Sequence, residues 1–167
     1  MPRSAVLAAV ILAACFFAGL VIAPLLEASG VPGAYLLRDT YAPLCHQIPV
    51  RSLTLSGRPL AVCARCVGLY GGGISGLLLA WFFPLLGKFP GWRSLAIALF
   101  PSVADAAARL MGWPGVSNGL RLLLTLPGGF VAGLLLAEGI ADLAVLVLPG
   151  QFGMAESVSQ RSTPGRP

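Results

Sequence analysis

Residues 4–26 read SAVLAAVILAACFFAGLVIAPLL, 23 positions without one charged side chain. As a helix rising ~1.5 Å per residue, this stretch exceeds the ~30 Å hydrocarbon core of a bilayer. Residues 66–87, CVGLYGGGISGLLLAWFFPLLG, form a second such run of 22. The rest of the chain has the same character. Its 167 residues are 57% hydrophobic and 10% charged, with a mean hydropathy of +0.87. Soluble domains carry about 25% charged residues, so a water-facing globule is excluded. Intrinsic disorder needs the opposite composition. An integral membrane protein remains.

Two further apolar segments follow. Residues 92–111 form the third, with Arg93 at one end and Asp105 and Arg109 near the other. Residues 120–148 form the fourth, where Pro127 predicts a kink and Glu138 and Asp142 predict an end at the opposite, solvated interface. The expected fold class is all-α: an integral membrane protein of four transmembrane helices at about 4–26, 66–87, 92–111 and 120–148. Three spans and a re-entrant segment are the fallback. Residues 1–150 are expected to be one transmembrane domain. Residues 151–167, rich in Ser, Gly and Pro, are expected to be a disordered tail.

The first run also has features of a cleaved leader. Arg3 precedes it, and Leu12-Ala13-Ala14-Cys15 resembles a lipoprotein cleavage box. The apolar run continues from Phe16 to Leu26, so it is read as a retained span with Cys15 as a buried helix thiol.

With four spans, the loop after the first and the loop after the third share one side, and the termini share the other. Charge hardly orients the chain: five basic residues fall on the terminal side and six on the loop side. Arg3 before the first span and Glu27 after it favour cytoplasmic termini and an outward loop, in the plasma membrane. The net charge of +5 comes from scattered arginines with no basic run, so no nucleic-acid partner is expected. The lipid bilayer is the expected partner.

The longest polar segment, residues 27–65, carries the chemistry. Three of the four cysteines and the single histidine fall within residues 45–66: Cys45-His46-Gln47, then Arg51-Ser52, then Cys63-Ala64-Arg65-Cys66. Between them, apolar residues alternate around Ser56-Gly57, which predicts a small β-hairpin folding Cys45 back towards Cys63. Upstream, residues 34–44 suit a short interfacial helix.

Cys63 and Cys66 have the C-x-x-C spacing that lets two thiolates grip one tetrahedral ion. Cys45 completes a three-thiolate site, and His46 is a fourth ligand or a hydrogen-bond partner to a ligating sulfur. Zinc is the expected metal, and iron or copper(I) also suits thiolates. The alternative is a membrane thiol-disulfide oxidoreductase. Cys66 opens a helix whose positive end favours a thiolate, with Cys63 as its partner and Cys45 as a relay. A disulfide or metal that only staples the loop, in a structural or assembly protein, is the plainest option. No hydrolytic triad or nucleotide motif accompanies these residues.

Ionisable residues at membrane depth point to function. Asp105 and Arg109, four apart on one helix, are expected to pair, or Asp105 neutralises Arg121 and fixes helix packing. By topology Asp105, Asn118 and Arg121 lie on the cysteine-loop side. A composite site is therefore expected there, with Gln47, Arg51 and Arg65 as further members. Gly68, Gly72 and Gly76, and Gly129 and Gly133, are spaced for close helix contact, within the chain or in a homo-oligomer.

The residues Cys45-His46-Gln47, Arg51-Ser52, Gly57, Cys63-Ala64-Arg65-Cys66, Gly68, Tyr70 and Gly72 resemble the signature of domain-of-unknown-function family 2085. These are small prokaryotic membrane proteins. Pro101, Asp105, Ser117-Asn118 and Arg121 resemble that family's second block. The resemblance spans roughly residues 41–133 and implies a multi-pass membrane protein whose Cys45, His46, Cys63, Cys66, Asp105, Asn118 and Arg121 act together. It implies no reaction. Where the family pattern has a glutamine after the aspartate, this chain has Arg109.

Overall fold

The computed structural model describes residues 3–83 and 91–147. The tail expected at 151–167 and the end of the second expected span, at 84–87, lie outside the described residues. The chain runs α1 (Arg3–Ala28), α2 (Ala34–Asp39), a 3-10 turn (Pro49–Arg51), β1 (Thr54–Leu55), β2 (Arg58–Pro59), α3 (Ala64–Phe82), α4 (Trp92–Leu110) and α5 (Asn118–Val147). The fold is mostly helical with one two-stranded sheet.

Among the described residues, two helices are long and apolar enough to cross a membrane. They are α1 over its full length and α5 over Asn118–Ala144. The two 19-residue helices between them are less apolar for identifiable reasons. Five positions of α3 are glycine, which adds no apolar surface, and α4 carries Arg93, Asp105 and Arg109. Pro127 lies inside one unbroken α5.

Most of α1 faces outward. Its buried residues are Val6, Val10, Leu20, Ala23 and Pro24, and Leu12 is 72% exposed. Cys15, expected to be buried, is exposed. A helix apolar on every side cannot bury every side against two neighbours, and Cys15 falls on the outer face.

The tightest contact joins α3 and α5. Here the glycine spacing acts within the chain. A Cβ on Gly72 would stand 2.8 Å from the amide nitrogen of Phe130 and collide with the Leu126 carbonyl. A Cβ on Gly68 would meet Leu122 and Thr125, and one on Gly76 would meet Phe130 and Leu134. Gly129 and Gly133 press in return on the backbones of Leu69 and Gly73. The contacts advance together along both helices, so α3 and α5 run parallel. Small residues let the two backbones approach, and all five glycines are used without a second copy.

Helices α1 and α4 run the opposite way. Val6 and Val10 of α1 pack with Leu77 and Ala80 of α3 and with Leu134 and Ala137 of α5. On α4, Leu99 seats against Gly128 and Asp105 reaches Arg121. The end of α1, the start of α3, the end of α4 and the start of α5 therefore meet at one end of the bundle. A second core lies there, built from Leu20, Ala23, Tyr41, Cys45, Leu60, Ala61, Val62 and Val67.

The expected hairpin is present. β1 and β2 are antiparallel, with Thr54 opposite Pro59 and Leu55 opposite Arg58. Ser56 and Gly57 both have positive φ, 52° and 75°, the two-residue turn whose twist matches that of paired strands.

Candidate metal and arginine site

Three devices bring the loop thiols together. Tyr41 anchors the approach to Cys45. It is buried, its hydroxyl donates to the Phe16 carbonyl of α1 at 2.7 Å, and its ring lies 5.0 Å from that of Phe16. Burial raises its pKa, which keeps the phenol protonated as a donor. The hairpin then returns the chain, and Cys63 stands in extended conformation just before α3. Finally, the first turn of α3 carries Cys66 back over Cys63.

The Cys63 amide donates to Cys45 Sγ at 3.2 Å, and Cys63 Sγ lies 3.5 Å from Cys66 Sγ. The sulfurs of Cys45, Cys63 and Cys66 all lie within 4.8 Å of one another. The Cys63 thiol is lowered to about 5, chiefly by the hydrogen bond from the Cys66 side chain, against the opposing effect of burial. A lowered thiol is a thiolate at neutral pH, the form that binds metal and attacks disulfides.

His46 is exposed and lines the cavity over the sulfurs, but its ring nitrogens are not part of the three-sulfur group. Gln47 has a positive φ of 50° and its amide donates to the Arg38 carbonyl at 2.7 Å, which fixes the turn after Cys45.

The second half of the site comes from α3, α4 and α5. Arg65, in the first turn of α3, forms an ion pair with Asp105 of α4. The same carboxylate lies 3.7 Å from Arg121 of α5. Among the described residues, no ion pair joins Asp105 to Arg109, the partner expected one turn away. Asp105 is turned into the bundle, with its side chain 6% exposed, whereas the Arg109 guanidinium turns to Gly115 in the following loop. Asn118 ties the halves together. Its amide donates to the Val50 carbonyl at 3.0 Å and the Ser52 carbonyl at 3.2 Å, and its oxygen accepts from Arg121 at 3.4 Å.

Eight of the sequence-derived residues line one cavity of about 290 Å³: Cys45, His46, Gln47, Arg51, Cys63, Arg65, Cys66 and Arg121. Asn118 lines the adjoining cavity of about 470 Å³, and Asp105 is the shared counter-ion. Sequence reasoning missed three supports. Tyr41 falls within residues 34–44, where the sequence suggests only a short interfacial helix. Buried Ser52 donates to the Ile48 carbonyl at 3.0 Å. Buried Thr125 reaches the Arg121 carbonyl at 2.9 Å. Thr125 had a signal, a lone hydroxyl one turn after Arg121 in an apolar run.

Comparison with known proteins places the polar blocks in one family. The family described as "Predicted membrane protein (DUF2085)" matches residues 45–135. An uncharacterized protein of Methanocaldococcus jannaschii is 38% identical over 99 residues, covering 58% of this chain and 61% of that protein. An uncharacterized protein of Methanothermobacter thermautotrophicus is 30% identical over 86 residues, covering 52% of this chain and 78% of that protein. This chain thus spans about three-fifths of the first relative's length. No solved structure matches. The matched region begins at Cys45 and extends past Arg121, so it takes in the thiols, the ion pairs and the glycine contact together, and the chain belongs to the DUF2085 family of membrane proteins.

Proposed function

We propose that this chain is a four-span membrane protein that binds one metal ion, zinc, through the thiolates of Cys45, Cys63 and Cys66. The observation that carries this reading is the approach of three sulfurs to within 4.8 Å of one another. Zinc–thiolate bonds are ~2.3 Å long, so tetrahedral sulfur ligands stand ~3.8 Å apart. The 3.5 Å between Cys63 and Cys66 is close to that spacing. Three protein ligands leave a fourth position for His46, water or an exogenous ligand. Iron and copper(I) remain the competing ions for a thiolate set.

The four-span reading is supported by packing. α3 runs beside α5 along the whole glycine contact, so a membrane crossed by α5 also encloses α3. α4 returns antiparallel against α5. In this arrangement the termini are cytoplasmic and the thiol loop faces outward from the plasma membrane.

A second reading rests on the same 3.5 Å contact. Cys63 and Cys66 would close to a disulfide, passing two electrons and two protons to a partner's disulfide.

Purified protein in detergent decides between them. One zinc per chain by mass spectrometry, lost in Cys63→Ser/Cys66→Ser, supports the metal site. A reducible Cys63–Cys66 disulfide with no metal overturns it in favour of redox chemistry. Labelling of the loop thiols on intact cells by a membrane-impermeant maleimide is expected, and labelling only from the cytoplasmic side refutes the orientation.

A further inference from the structure

The arginines around the thiols exceed what a thiolate metal site needs. Arg51 from the loop, Arg109 from α4 and Arg121 from α5 line the 470 Å³ cavity, and Arg65 joins Arg51 and Arg121 in the adjoining one. Among the described residues, Asp105 is the single carboxylate that ion-pairs with this set, and it engages Arg65 and Arg121. Four guanidinium charges thus face one carboxylate.

Two of these cations are crowded together. A Cβ built on Gly115 would stand 2.8 Å from Arg109 Nε and would strike the Arg121 guanidinium. Both groups therefore lie beside that one glycine. Arg121 is only 5% exposed, so water screens it poorly and like charges near it are costly. Its Nε makes no hydrogen bond and has only the Asp105 carboxylate 3.7 Å away, and the buried Nε of Arg65 has no hydrogen-bond partner. A buried donor without an acceptor is expensive, and each of these side chains lines a cavity.

The remaining wall adds positive potential. Ser117 and Asn118 line the larger cavity at the start of the 30-residue α5, where the helix end carries partial positive charge.

We infer that the cavity between Arg51, Arg109 and Arg121 binds a phosphate-class oxyanion, with Arg65 and Asp105 fixing the orientation of Arg121. Guanidinium forks match the oxygen geometry of phosphate, and its several anionic oxygens can engage more than one arginine of the cationic surplus at once. The ligand is inorganic phosphate, a phosphorylated solute or a lipid phosphate headgroup, all presenting the same group. The inference rests on the arginines and stands whether or not the sulfurs hold metal. Its position beside the thiols makes it the place where a substrate's charged group would be held next to them.

The test measures binding by the full chain in detergent to inorganic phosphate, and by the chain in vesicles of phosphatidylcholine with or without phosphatidylglycerol. Saturable phosphate binding identifies a soluble oxyanion. Enrichment only with the anionic lipid identifies a headgroup. In either case Arg109→Gln and Arg51→Gln are each expected to weaken binding at least about tenfold. Arg58→Gln, on the hairpin, is expected to leave it unchanged. These variants keep the buried Arg121–Asp105 pair, so they report binding even if Arg121→Gln fails to fold. Cys63→Ser/Cys66→Ser should retain anion binding, which separates this site from the metal reading. Binding to neither source, or binding indifferent to both Arg51→Gln and Arg109→Gln, overturns it.

Discussion

At one end of the bundle, Val6, Val10, Leu77, Ala80, Leu134 and Ala137 pack into a core of apolar side chains. At the other end the same three helices, with α4 and the loop, enclose three thiols, four arginines and one carboxylate. The first end is held by volume and shape. The second is held by pairings that leave a cost when broken, because a buried charge without its partner is worse than no charge. The glycine contact between α3 and α5 is common to both ends.

That shared contact predicts the largest effect. Gly72→Leu would drive a side chain into the backbone of α5 at Leu126 and Phe130. No small rotamer change relieves a clash with a helix backbone, so more than about 4 kcal/mol of stability should be lost. Both ends should fail together, seen as loss of a monodisperse peak and of bound metal. Gly119→Ala, where a Cβ meets nothing within 4 Å, should behave as the parent chain.

Asp105→Asn should separate the two ends. It leaves Arg65 and Arg121 without their common counter-ion, and breaking a buried pair costs about 3–5 kcal/mol. A lower melting temperature is expected with the α1–α3–α5 apolar core still formed. A double-mutant cycle sharpens the assignment. Asp105 should show coupling with Arg65 and far less with Arg109, and the reverse would restore the one-turn pairing that helix spacing alone suggests.

Much of this was legible in the sequence, and the boundary has a physical cause. The uncharged runs at residues 4–26 and 66–87 mark α1 and α3, because bilayer thickness sets a length that composition reveals. The Ser56-Gly57 turn was readable because its φ angles demand such residues. The glycine spacing announced a close contact but not whether the partner was α5 or another copy. Of the two partners expected for Asp105, Arg121 lies 3.7 Å away and Arg109 does not pair; Arg65 was not legible, because helix periodicity reports neighbours along one helix and Arg65 is 40 residues away. His46 illustrates the same limit at short range. Adjacent side chains diverge, so its proximity to Cys45 in sequence did not bring it into the three-sulfur group.

A smaller effect is expected at the apolar end. Val10→Ala removes two methyl groups, a loss of about 1–2 kcal/mol including the cavity left behind. Val10 is 7% exposed and packs with α3 and α5. Metal content and phosphate binding should stay at parental levels in the fraction that remains folded. A loss of metal in this variant would show that the two ends are coupled through more than the shared glycine contact.

The smallest effect, because solvent screens the partly exposed Cys63, is a pH dependence confined to the polar end. In the folded, metal-free chain the Cys63 thiol is lowered to about 5 by its hydrogen bond from Cys66, whereas an unfolded cysteine titrates near 8.5. Between these values the unfolded chain binds more protons than the folded one, so stability rises with pH. The thiolate's contribution is complete above the unfolded value and is lost as pH falls through the folded one. Melting of the metal-free protein should therefore drop by a few degrees between pH 8 and pH 5.5. Carboxylates also begin to protonate near the lower limit, so the decisive quantity is the difference from Cys63→Ser, whose slope should be shallower. An equal slope in both proteins would remove the thiolate from the account and leave Asp105, among the described residues, as the single acid that ion-pairs with the arginines of the site.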